Sequence, residues 1–513
     1  MAETATSYDE LPYNDRAFVH AHPDRLAVIG ALHGLRPAPP DRCRVLELGC
    51  GLGGNLLPMA AALPDSRFVG IDLSARQIEQ GRAVARRLGL GNVELRQQDL
   101  ADFDPGEGAF DYVLCHGVYS WVPPIVQERI LSACRRGLAP HGLAMISYNA
   151  YPGWRANAAV RDVLRHGARG ADAPGEQVAR GLEFLGFVAR NLFDADSPYA
   201  RTVRAAAEHL AAEDPTYVFH EYLEEHNHPA HVEEFARLAA RSGLRYVAEA
   251  ALRDPSNQLT DEARPLLTGI ADDLVRCEQT LDYLRGRTFR RDVLCHEGAP
   301  VQRWPQPAAL KDMLLVALAE PASPRPKAAP GAVEQFRAAK GQKLSTSDAA
   351  LKAALRALHA ARPRAVPYAE LLGRVKASVR QVDEARLARS LLACATASLA
   401  EVHAYLPPIA ARPGDRPHAT AVARWQAGEG RLVVDLRHRS HELDDLTRAV
   451  LAMLDGTRDR RALCDELQAQ LRAGRLTLRD ARGRAVKAMP PGQVQRTNDE
   501  VLDALADLRL LTE

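Results

Sequence analysis

The sequence predicts an α/β fold built on a parallel sheet, with mainly helical units after it. Between residues 44 and 149, short apolar segments alternate with longer segments that have the periodicity of a helix. This alternation is the pattern of a parallel sheet whose strands are joined by right-handed helical crossovers. The first apolar segment also ends in an acid and continues directly into a glycine-dense turn and a helix start, as in nucleotide-binding sheets.

Five strands and the helices between them are predicted in this region. The strands cover residues 45–48, 68–72, 93–99, 110–116 and 142–148. Helices are predicted at residues 74–88 and 123–137. Ligands of open parallel sheets bind at the carboxyl ends of the strands, so the residues that follow each strand are candidates for a binding site.

The turn after the first strand indicates which ligand binds. Gly49, Gly51 and Gly54 fit the G-x-G-x-x-G fingerprint of dinucleotide-binding dehydrogenases. Glu47, two residues before the first glycine, argues against a dinucleotide because a carboxylate opposes the charge of a pyrophosphate. S-adenosylmethionine (SAM) has no phosphate, and its ammonium and sulfonium groups are attracted by an acid in this place. The sequence therefore favours SAM over a dinucleotide.

Acids that close the next two strands support this choice of ligand. Asp72 ends the second strand about 20 residues after the loop, where a ribose-binding acid is expected. Asp99 ends the third strand and is expected to accept a hydrogen bond from the adenine amino group. Tyr13 lies in an aromatic N-terminal arm that either covers the cofactor as a lid or packs the first helix onto the sheet. The predicted cofactor-binding residues are Tyr13, Glu47, Gly49, Cys50, Gly51, Gly53, Asn55, Asp72, Leu73, Gln98, Asp99, Leu100 and His116.

Aromatic side chains follow the fourth and fifth strands and predict the acceptor site. The candidates are His116, Tyr119, Trp121, Tyr151 and Trp154. Methyl transfer from a sulfonium is an in-line displacement with a neutral leaving group, so it requires alignment and a dry pocket but no metal ion. Trp121 and Trp154 either line this pocket or anchor the helices that follow them. His116 acts either as a general base or as a structural hydrogen-bonding residue.

Composition and charge exclude several classes of protein. The chain has 513 residues with 66 Lys plus Arg against 65 Asp plus Glu, so no global positive charge favours nucleic acid or an anionic membrane. No apolar run approaches the roughly 20 residues of a membrane helix. The polar N-terminal residues lack an apolar signal segment, and the eight cysteines are scattered. We therefore expect a cytoplasmic protein with reduced thiols.

A histidine-rich segment at residues 220–231 is not predicted to bind a metal ion. His220, His226, His228 and His231 lack the H-E-x-x-H spacing, and Pro229 interrupts any shared helical face. We expect these histidines to have structural roles.

The chain is predicted to contain five consecutive units. The alternation of strands and helices stops at residue 149 and is followed by helices that are broken near residues 170–175 and 194–198. A helix at 232–242 and a strand at 244–250 then complete the sheet. The units are a SAM-binding core with its N-terminal arm at 1–154, a helical insertion at 155–215, the sheet completion with a middle domain at 216–325, a winged-helix-like domain at 331–405 and a C-terminal helical domain at 418–513.

Three helices and a strand give the unit at 331–405 its winged-helix-like pattern. The helices are predicted at 347–361, 367–376 and 383–396, the strand at 399–404, and a Pro/Ala-rich linker precedes them at 320–330. Winged helices often bind DNA, but the arginines of this unit are spread among acids and alanines instead of forming one basic face. The pattern favours docking of a protein or substrate over DNA binding.

The motifs together resemble a family of bacterial SAM-dependent methyltransferases that carry a methyltransferase regulatory domain. This family includes lysine methyltransferases that act on outer-membrane proteins. The resemblance covers nearly the whole chain, and its marks lie at residues 8–13, 47–53, 110–123, 147–154, 219–224, 288–296 and 455–457. It implies a Rossmann-like class I methyltransferase domain, a helical dimerisation element, a middle regulatory domain and a C-terminal helical domain. It also implies that the acceptor is a lysine of a protein, with an outer-membrane or surface protein as the partner.

One departure from the family pattern follows Asn227. The segment from His228 to Val232 lacks the aromatic residues expected between Pro229 and the next helix. The sequence is compatible with three functions. The first is SAM-dependent methylation of protein lysines, the second is N- or O-methylation of a small molecule, and the third is a non-catalytic SAM-sensing scaffold.

Overall fold

A seven-stranded sheet forms the centre of the N-terminal half in this computed structural model, which describes residue 11 and residues 16–252, 259–325, 331–339, 341–479 and 485–513. The strand order is β3-β2-β1-β4-β5-β7-β6. Strands β1 to β5 run parallel, and β7 is antiparallel to both of its neighbours. The strands are β1 Arg44–Leu48, β2 Arg67–Asp72, β3 Val93–Gln97, β4 Phe110–Cys115, β5 Leu138–Asn149, β6 Leu244–Glu249 and β7 Phe289–His296.

The five predicted parallel strands are confirmed, with shifts at three ends. Strand β3 ends at Gln97, so Asp99 lies two residues beyond the strand and does not close it. Strand β4 ends at Cys115, one residue before the predicted end at His116. Strand β5 begins at Leu138, earlier than predicted, and includes Asn149.

Strand β7 was not predicted from the sequence. The strand at 244–250 was predicted to complete the sheet, whereas Phe289–His296 also joins it and inserts between β5 and β6. The strand carries Arg290 and Asp292, which are both fully buried. The Arg290 guanidinium bonds Asp292 at 2.9 Å, Asp282 at 2.8 Å and Glu278 at 2.9 Å. Burial of this arginine is tolerated because the three carboxylates surround it. The charged residues also explain why the strand was not predicted, since a strand search relies on apolar runs.

Helices cover both faces of the sheet, and several begin with a proline or a side-chain cap. Ser74 caps the helix after β2 by accepting a hydrogen bond from the Gln77 amide at 3.1 Å. Proline is tolerated in the first turn because its missing N–H has no partner there. The helices of this half are Pro23–Leu32, Leu56–Ala62, Ala75–Arg87, Pro124–Gly137, Val232–Arg241, Ala263–Gly269 and Leu274–Arg285, with 3-10 turns at Val19–Ala21, Pro40–Arg42 and Tyr119–Trp121.

The predicted helical insertion is confirmed. Its helices are Trp154–Gly167, Pro174–Arg190, Pro198–Leu210 and Pro215–Val218, followed by a π-helix at Phe219–Leu223. They pack on an apolar core of their own that includes Leu164, Leu185 and Val203. No helix in the part of the chain that the structure describes is long and apolar enough to cross a membrane.

The middle unit combines the three predicted helices with two small sheets. The helices are Ala349–Ala360, Tyr368–Ser378 and Glu384–Thr396. One sheet pairs Leu314–Ala317 with Val366–Pro367 and Ala400–His403, and the other pairs Glu334–Ala338 with Ala319–Pro321 and Lys343–Thr346. A 3-10 turn at Pro307–Asp312 precedes them.

Two features of the middle unit correct the sequence analysis. The predicted linker at 320–330 starts inside a strand, because Ala319–Pro321 pairs with Glu334–Ala338. The helix Pro23–Leu32 also contributes to this core, since its Val28 and Leu32 pack there. The N-terminal and middle units are therefore in direct contact through Pro23–Leu32.

In its described residues, 418–479 and 485–513, the last unit has four helices and three short antiparallel strand pairs. The helices are Ala421–Glu429, Asp445–Ala452, Arg460–Arg472 and Pro491–Asp507. The strand pairs are His418–Ala419 with Leu511–Thr512, Leu432–Val434 with Ser440–Glu442 and Leu478–Arg479 with Ala485–Val486. The second of these pairs is a hairpin whose connecting loop, residues 435–439, extends away from its own core.

Candidate functional site

The glycine-dense loop wraps around the carboxyl ends of β1 and β2. The Gly49 and Cys50 amides donate to the Ile71 carbonyl at 2.8 and 3.0 Å. The Asp72 carboxylate accepts hydrogen bonds from the Gly51 amide at 2.8 Å and the Ser74 amide at 3.0 Å. The loop and the predicted ribose-binding acid are therefore held together as one rigid edge of the sheet.

Positive backbone angles explain why glycine occupies this turn. Gly49, Gly51 and Gly53 have φ angles of +74°, +56° and +93°, which L side chains adopt only with strain. A Cβ atom at Gly49 would also lie 2.3 Å from Cγ2 of Val118, in the loop after β4. The loop can therefore approach β4 and a ligand closely only without a side chain at this position.

Glu47 is a buried carboxylate at the end of β1. Its side chain is 3% exposed, and Asn55 Nδ2 donates to its Oε1 at 2.8 Å. Asn55 Oδ1 in turn accepts from the Phe18 amide at 3.0 Å and lies 2.7 Å from Nε2 of His438. Asn55, predicted to contact the cofactor, is thus placed to fix the orientation of Glu47.

The remaining predicted donor residues lie at the neighbouring strand ends. The Gln98 amide donates to the Asp72 carbonyl at 2.8 Å, which joins the ends of β2 and β3. Asp99 is exposed, and its Oδ1 accepts from the Ala101 amide at 2.8 Å. Leu73 is 52% exposed beside these residues, and Leu100 is half-buried. The exposed Leu73 next to polar groups suits the binding of an adenosine. Asp99 was predicted to end a strand, but it lies in a turn.

His116 contacts the N-terminal arm. Its ring centroid lies 3.8 Å from that of Phe18 and 5.9 Å from that of Phe289. Burial, the Arg291 guanidinium and His20 together lower the pKa of His116 to about 3. The imidazole is therefore neutral at neutral pH, and such a low pKa argues against a role as general base. Its Nδ1 has no hydrogen-bond partner among the described residues.

The structure brings the two predicted tryptophans together. Trp121 and Trp154 form an edge-to-face pair with ring centroids 6.2 Å apart, and Tyr222 lies 6.2 Å from Trp154. These three residues are called the aromatic cluster below. Tyr151 lies nearby in sequence, stacked under the Arg155 guanidinium at 4.0 Å and 5.3 Å from the His231 ring.

Tyr119 is placed differently from its neighbours. It is 2% exposed and packs against Phe235 and Tyr148 in the core beneath the sheet, with ring centroids 5.4 and 6.3 Å away. The short 3-10 turn Tyr119–Trp121 sends Tyr119 inward while Trp121 remains half-buried. Trp154 is likewise 3% exposed, so Trp121 and Tyr151, which are half-buried, are the predicted aromatic residues that remain accessible.

Hydrogen bonds fix the two aromatic segments to each other. Ser120 Oγ accepts from the Asn149 amide at 2.8 Å, and the Ser120 carbonyl accepts from the His228 amide at 2.8 Å. Asn149 Nδ2 also donates to Asn227 Oδ1 at 3.1 Å. The histidine-rich segment therefore acts as a connector, and His220 within the π-helix bonds Glu224 at 2.8 Å.

Three residues complete the comparison with the sequence predictions. Tyr13 lies outside the described residues. Glu221 lies in the histidine-rich segment and was not predicted to have a role. Burial raises its pKa to about 7, and it lies in a π-helix, a feature frequent at functional sites. His438 was not singled out, because a residue 383 positions from Asn55 gives no local signal.

Three family models match consecutive parts of the chain. A model described as "Methyltransferase domain" matches residues 45–142, and one described as "Predicted methyltransferase regulatory domain" matches residues 214–296. A third, "PKMT, C-terminal winged helix domain", matches residues 415–510. The winged-helix match thus covers the last unit, whereas the sequence pattern placed such a fold at 331–405.

Two relatives from Rickettsia prowazekii support the same family. The chain is 37% identical over 235 residues to the uncharacterized protein RP028 of Rickettsia prowazekii, covering 94% of that protein and 46% of this chain. The chain belongs to this family of class I methyltransferases with a regulatory domain. This methyltransferase is also 35% identical over 299 residues, 58% of its length, to the uncharacterized protein RP789 of Rickettsia prowazekii. It spans only about half, 54%, of the length of RP789.

A solved structure matches the whole methyltransferase chain. PKMT2 from Rickettsia typhi, in complex with AdoHcy, superimposes with a TM-score of 0.85 at 27% sequence identity. The match covers 98% of this chain and 100% of that one. The Rossmann-like core and the helical units after it therefore share one arrangement with PKMT2.

We expect Gly49→Ala to destabilise the methyltransferase through the contact with Val118. Gly89→Ala is the matched control, because Gly89 also has a positive φ of +68° but has no atom within 4 Å of a Cβ position. Both variants carry about 1–2 kcal/mol of backbone strain, and only Gly49→Ala adds about 1–3 kcal/mol of overpacking. Thermal unfolding should show the larger loss for Gly49→Ala and partial recovery in Gly49→Ala/Val118→Ala. Equal losses for the two single variants would contradict the close approach of the loop to Val118.

Proposed function

We propose that this methyltransferase transfers the methyl group of SAM to lysine side chains of a protein. The observation that supports the donor most directly is the buried carboxylate of Glu47, which is fixed by Asn55 beside a turn of positive-φ glycines. The structural match to PKMT2, whose structure contains AdoHcy, supports the same donor and a protein acceptor.

The residues at the strand ends fit SAM. The glycine turn forms a cradle of backbone without side chains, in which Gly49, Gly51 and Gly53 have positive φ angles. Glu47 attracts the cationic amino group of SAM. Asp72, which two backbone amides hold in place, lies farther along the same edge of the sheet, where the ribose hydroxyls are expected. A pyrophosphate in the same cradle would face both carboxylates, so the electrostatics disfavour a dinucleotide.

The aromatic cluster is suited to a lysine side chain. Forming a neutral lysine amine at pH 7 costs about 4.6 kcal/mol from its ordinary pKa of about 10.4. Aromatic rings stabilise the charged form by only about 0.5–2 kcal/mol. Because Trp121 and Trp154 pack against each other, a lysine would lie beside the half-buried Trp121. Desolvation there and repulsion from a nearby sulfonium both favour the neutral amine, and together they oppose the cost of deprotonation.

Each part of the site has a defined task in the transfer. SAM supplies a methyl group on a sulfonium, from which displacement by an amine leaves a neutral thioether. Glu47 and Asp72 bind and orient the donor, and the aromatic cluster excludes water and aligns the acceptor chain. His116 stays neutral and contacts the N-terminal arm through Phe18. We propose that the acceptor is an outer-membrane or surface protein, modified in the cytoplasm.

Incorporation of labelled methyl groups tests the proposed reaction. Purified methyltransferase, incubated with labelled SAM and a bacterial extract, should label the protein fraction, and acid hydrolysis should release methyl-lysine. Label confined to the small-molecule fraction would contradict the protein acceptor and favour a small-molecule methyltransferase. SAM binding without label in any fraction would instead favour a SAM-sensing scaffold.

We expect Asp72→Ala to lose most of its affinity for SAM. Loss of charge-assisted hydrogen bonds to the donor should raise Kd about 10- to 100-fold. Asp102→Ala is the matched control, because Asp102 is an exposed acid in the loop after β3. Calorimetric titration measures both affinities, and far-UV circular dichroism checks that the fold is retained. An Asp72→Ala variant with the affinity of Asp102→Ala would place the donor elsewhere.

Trp121→Ala and Tyr151→Ala should reduce turnover more than donor binding. We expect kcat/KM for the protein acceptor to fall about tenfold, because an aromatic wall of the acceptor site is lost. The SAM Kd should remain within about twofold of the wild-type value. Trp304→Ala is the control, since this tryptophan is 50% exposed away from the cluster. Parallel losses in turnover and SAM affinity would remove Trp121 and Tyr151 from the acceptor site.

A further inference from the structure

A loop of the last unit reaches the donor site, beside the helix Ala421–Glu429, which contacts the helix Leu56–Ala62. Residues 435–439 connect the hairpin strands Leu432–Val434 and Ser440–Glu442. His438 in this loop is 3% exposed, and its Nε2 lies 2.7 Å from Oδ1 of Asn55. A side chain from the C-terminal unit is thus buried against the residue that orients Glu47.

The hydrogen bonds have a defined direction. Asn55 Nδ2 donates to Glu47, so Asn55 Oδ1 is the acceptor and His438 Nε2 carries the donated proton. Burial and the nearby His22 hold the pKa of His438 well below its usual value, so the imidazole is neutral and has one N–H to donate. The chain His438–Asn55–Glu47 therefore leads from the C-terminal unit to the donor carboxylate.

The backbone of the loop holds His438 in this position. His438 has a φ of +61°, which a residue with a side chain adopts only when its surroundings enforce it. Asp435 enforces it, because its Oδ1 accepts from the Arg437 and Arg439 amides at 2.8 Å each and its carbonyl accepts from the His438 amide at 2.9 Å. His441 bonds the other carboxylate oxygen of Asp435 at 2.9 Å.

The loop is also anchored to the middle unit. Arg437 Nη1 donates to Glu401 at 2.9 Å, its Nη2 donates to the Pro363 carbonyl at 2.8 Å, and Arg439 also pairs with Glu401. A buried carboxylate that receives two guanidinium groups fixes the loop far more firmly than surface ion pairs would. The approach of His438 to Asn55 therefore depends on docking of the middle and last units.

A second contact links the same units beside His438. The ring centroid of His22, at the start of the first helix, lies 5.1 Å from that of His438. Two residues later, the Asp24 carboxylate accepts from the Ala404 and Tyr405 amides at 2.7 and 2.9 Å and lies 2.7 Å from His403. Burial raises the pKa of Asp24, but His403 and the amide hydrogen bonds outweigh this effect and hold the pKa below its usual value. This carboxylate is therefore charged at neutral pH.

We propose that His438 is a positioning residue for the donor site, and that docking of the C-terminal unit is required for full affinity for SAM. This inference rests on the proposed function, because it assigns Glu47 to the donor. The amide of Asn55 can adopt two orientations, and the His438 N–H supports the one in which Nδ2 points at Glu47. Without His438, the Phe18 amide and the acceptor-only Glu47 carboxylate still favour this orientation, but Asn55 Oδ1 loses one of its two donors and is held less firmly.

Measurement of SAM binding by the full-length His438→Ala variant tests the proposal. We expect its Kd for SAM, and likewise its KM, to rise about tenfold, since one buried hydrogen bond in the chain to Glu47 is lost. The kcat at saturating SAM should fall by less than about twofold, because His438 does not touch the reacting atoms. His438→Gln, whose amide can donate in place of the imidazole, should recover part of the affinity.

His418→Ala is the matched control. His418 is a histidine of the same unit that is exposed and bonds only Thr512 among the described residues, at 2.7 Å, so its Kd should equal that of the wild type. Thermal unfolding of each variant identifies loss of fold. The coupling between His438→Ala and Asn55→Ala, measured as the Kd of the double variant, should be strongly non-additive.

The outcomes separate the two proposals. If the wild type does not bind SAM, the proposed function fails. If the wild type binds SAM and the His438→Ala variant binds equally well, the positioning role alone is overturned. A lower unfolding temperature with unchanged Kd in both His438 variants would also overturn it, because His438 would then act only on stability.

Discussion

The hydrogen bond between Asn55 and Glu47 is the interaction on which the arrangement of this methyltransferase depends. A carboxylate in the interior is costly unless polar groups surround it, and Asn55 supplies such a group at 2.8 Å. Asn55 itself begins a helix directly after the glycine turn, and it also receives the Phe18 amide and the His438 imidazole. Three distant parts of the chain therefore meet at the Asn55 side chain, namely β1 with the turn that follows it, the N-terminal arm and the C-terminal loop.

Much of the core could be predicted from the sequence because its signals are local. Strands β1, β2 and β4 are short apolar runs bounded by turns, and Asp72 and the glycine turn sit where the fold requires them. Strand β7 could not be predicted in this way, since the burial of Arg290 and Asp292 depends on acids from a preceding helix. The strand Ala319–Pro321 was missed for a related reason, because a proline in an Ala-rich segment indicates a linker until its partner strand is known.

The two halves of the candidate site differ in what the sequence reveals. The donor side lies at consecutive strand ends, so the order of Glu47, Asp72 and Asp99 along the chain already indicates their proximity. The acceptor side depends on the direction of individual side chains. Tyr119 and Trp121 are two residues apart, yet Tyr119 lies in the core and Trp121 pairs with Trp154. The position of His438 beside Asn55 depends on the docking of whole units, which no local sequence pattern predicts.

The central claim is that the buried Glu47 and the half-buried Asp72 at the strand ends select a cationic, phosphate-free adenosyl donor. Calorimetric titration of the full-length wild-type protein with SAM and, separately, with NAD⁺ tests it most directly. We predict saturable binding of SAM and no detectable binding of NAD⁺ under the same conditions. Saturable binding of NAD⁺ without binding of SAM would contradict the account.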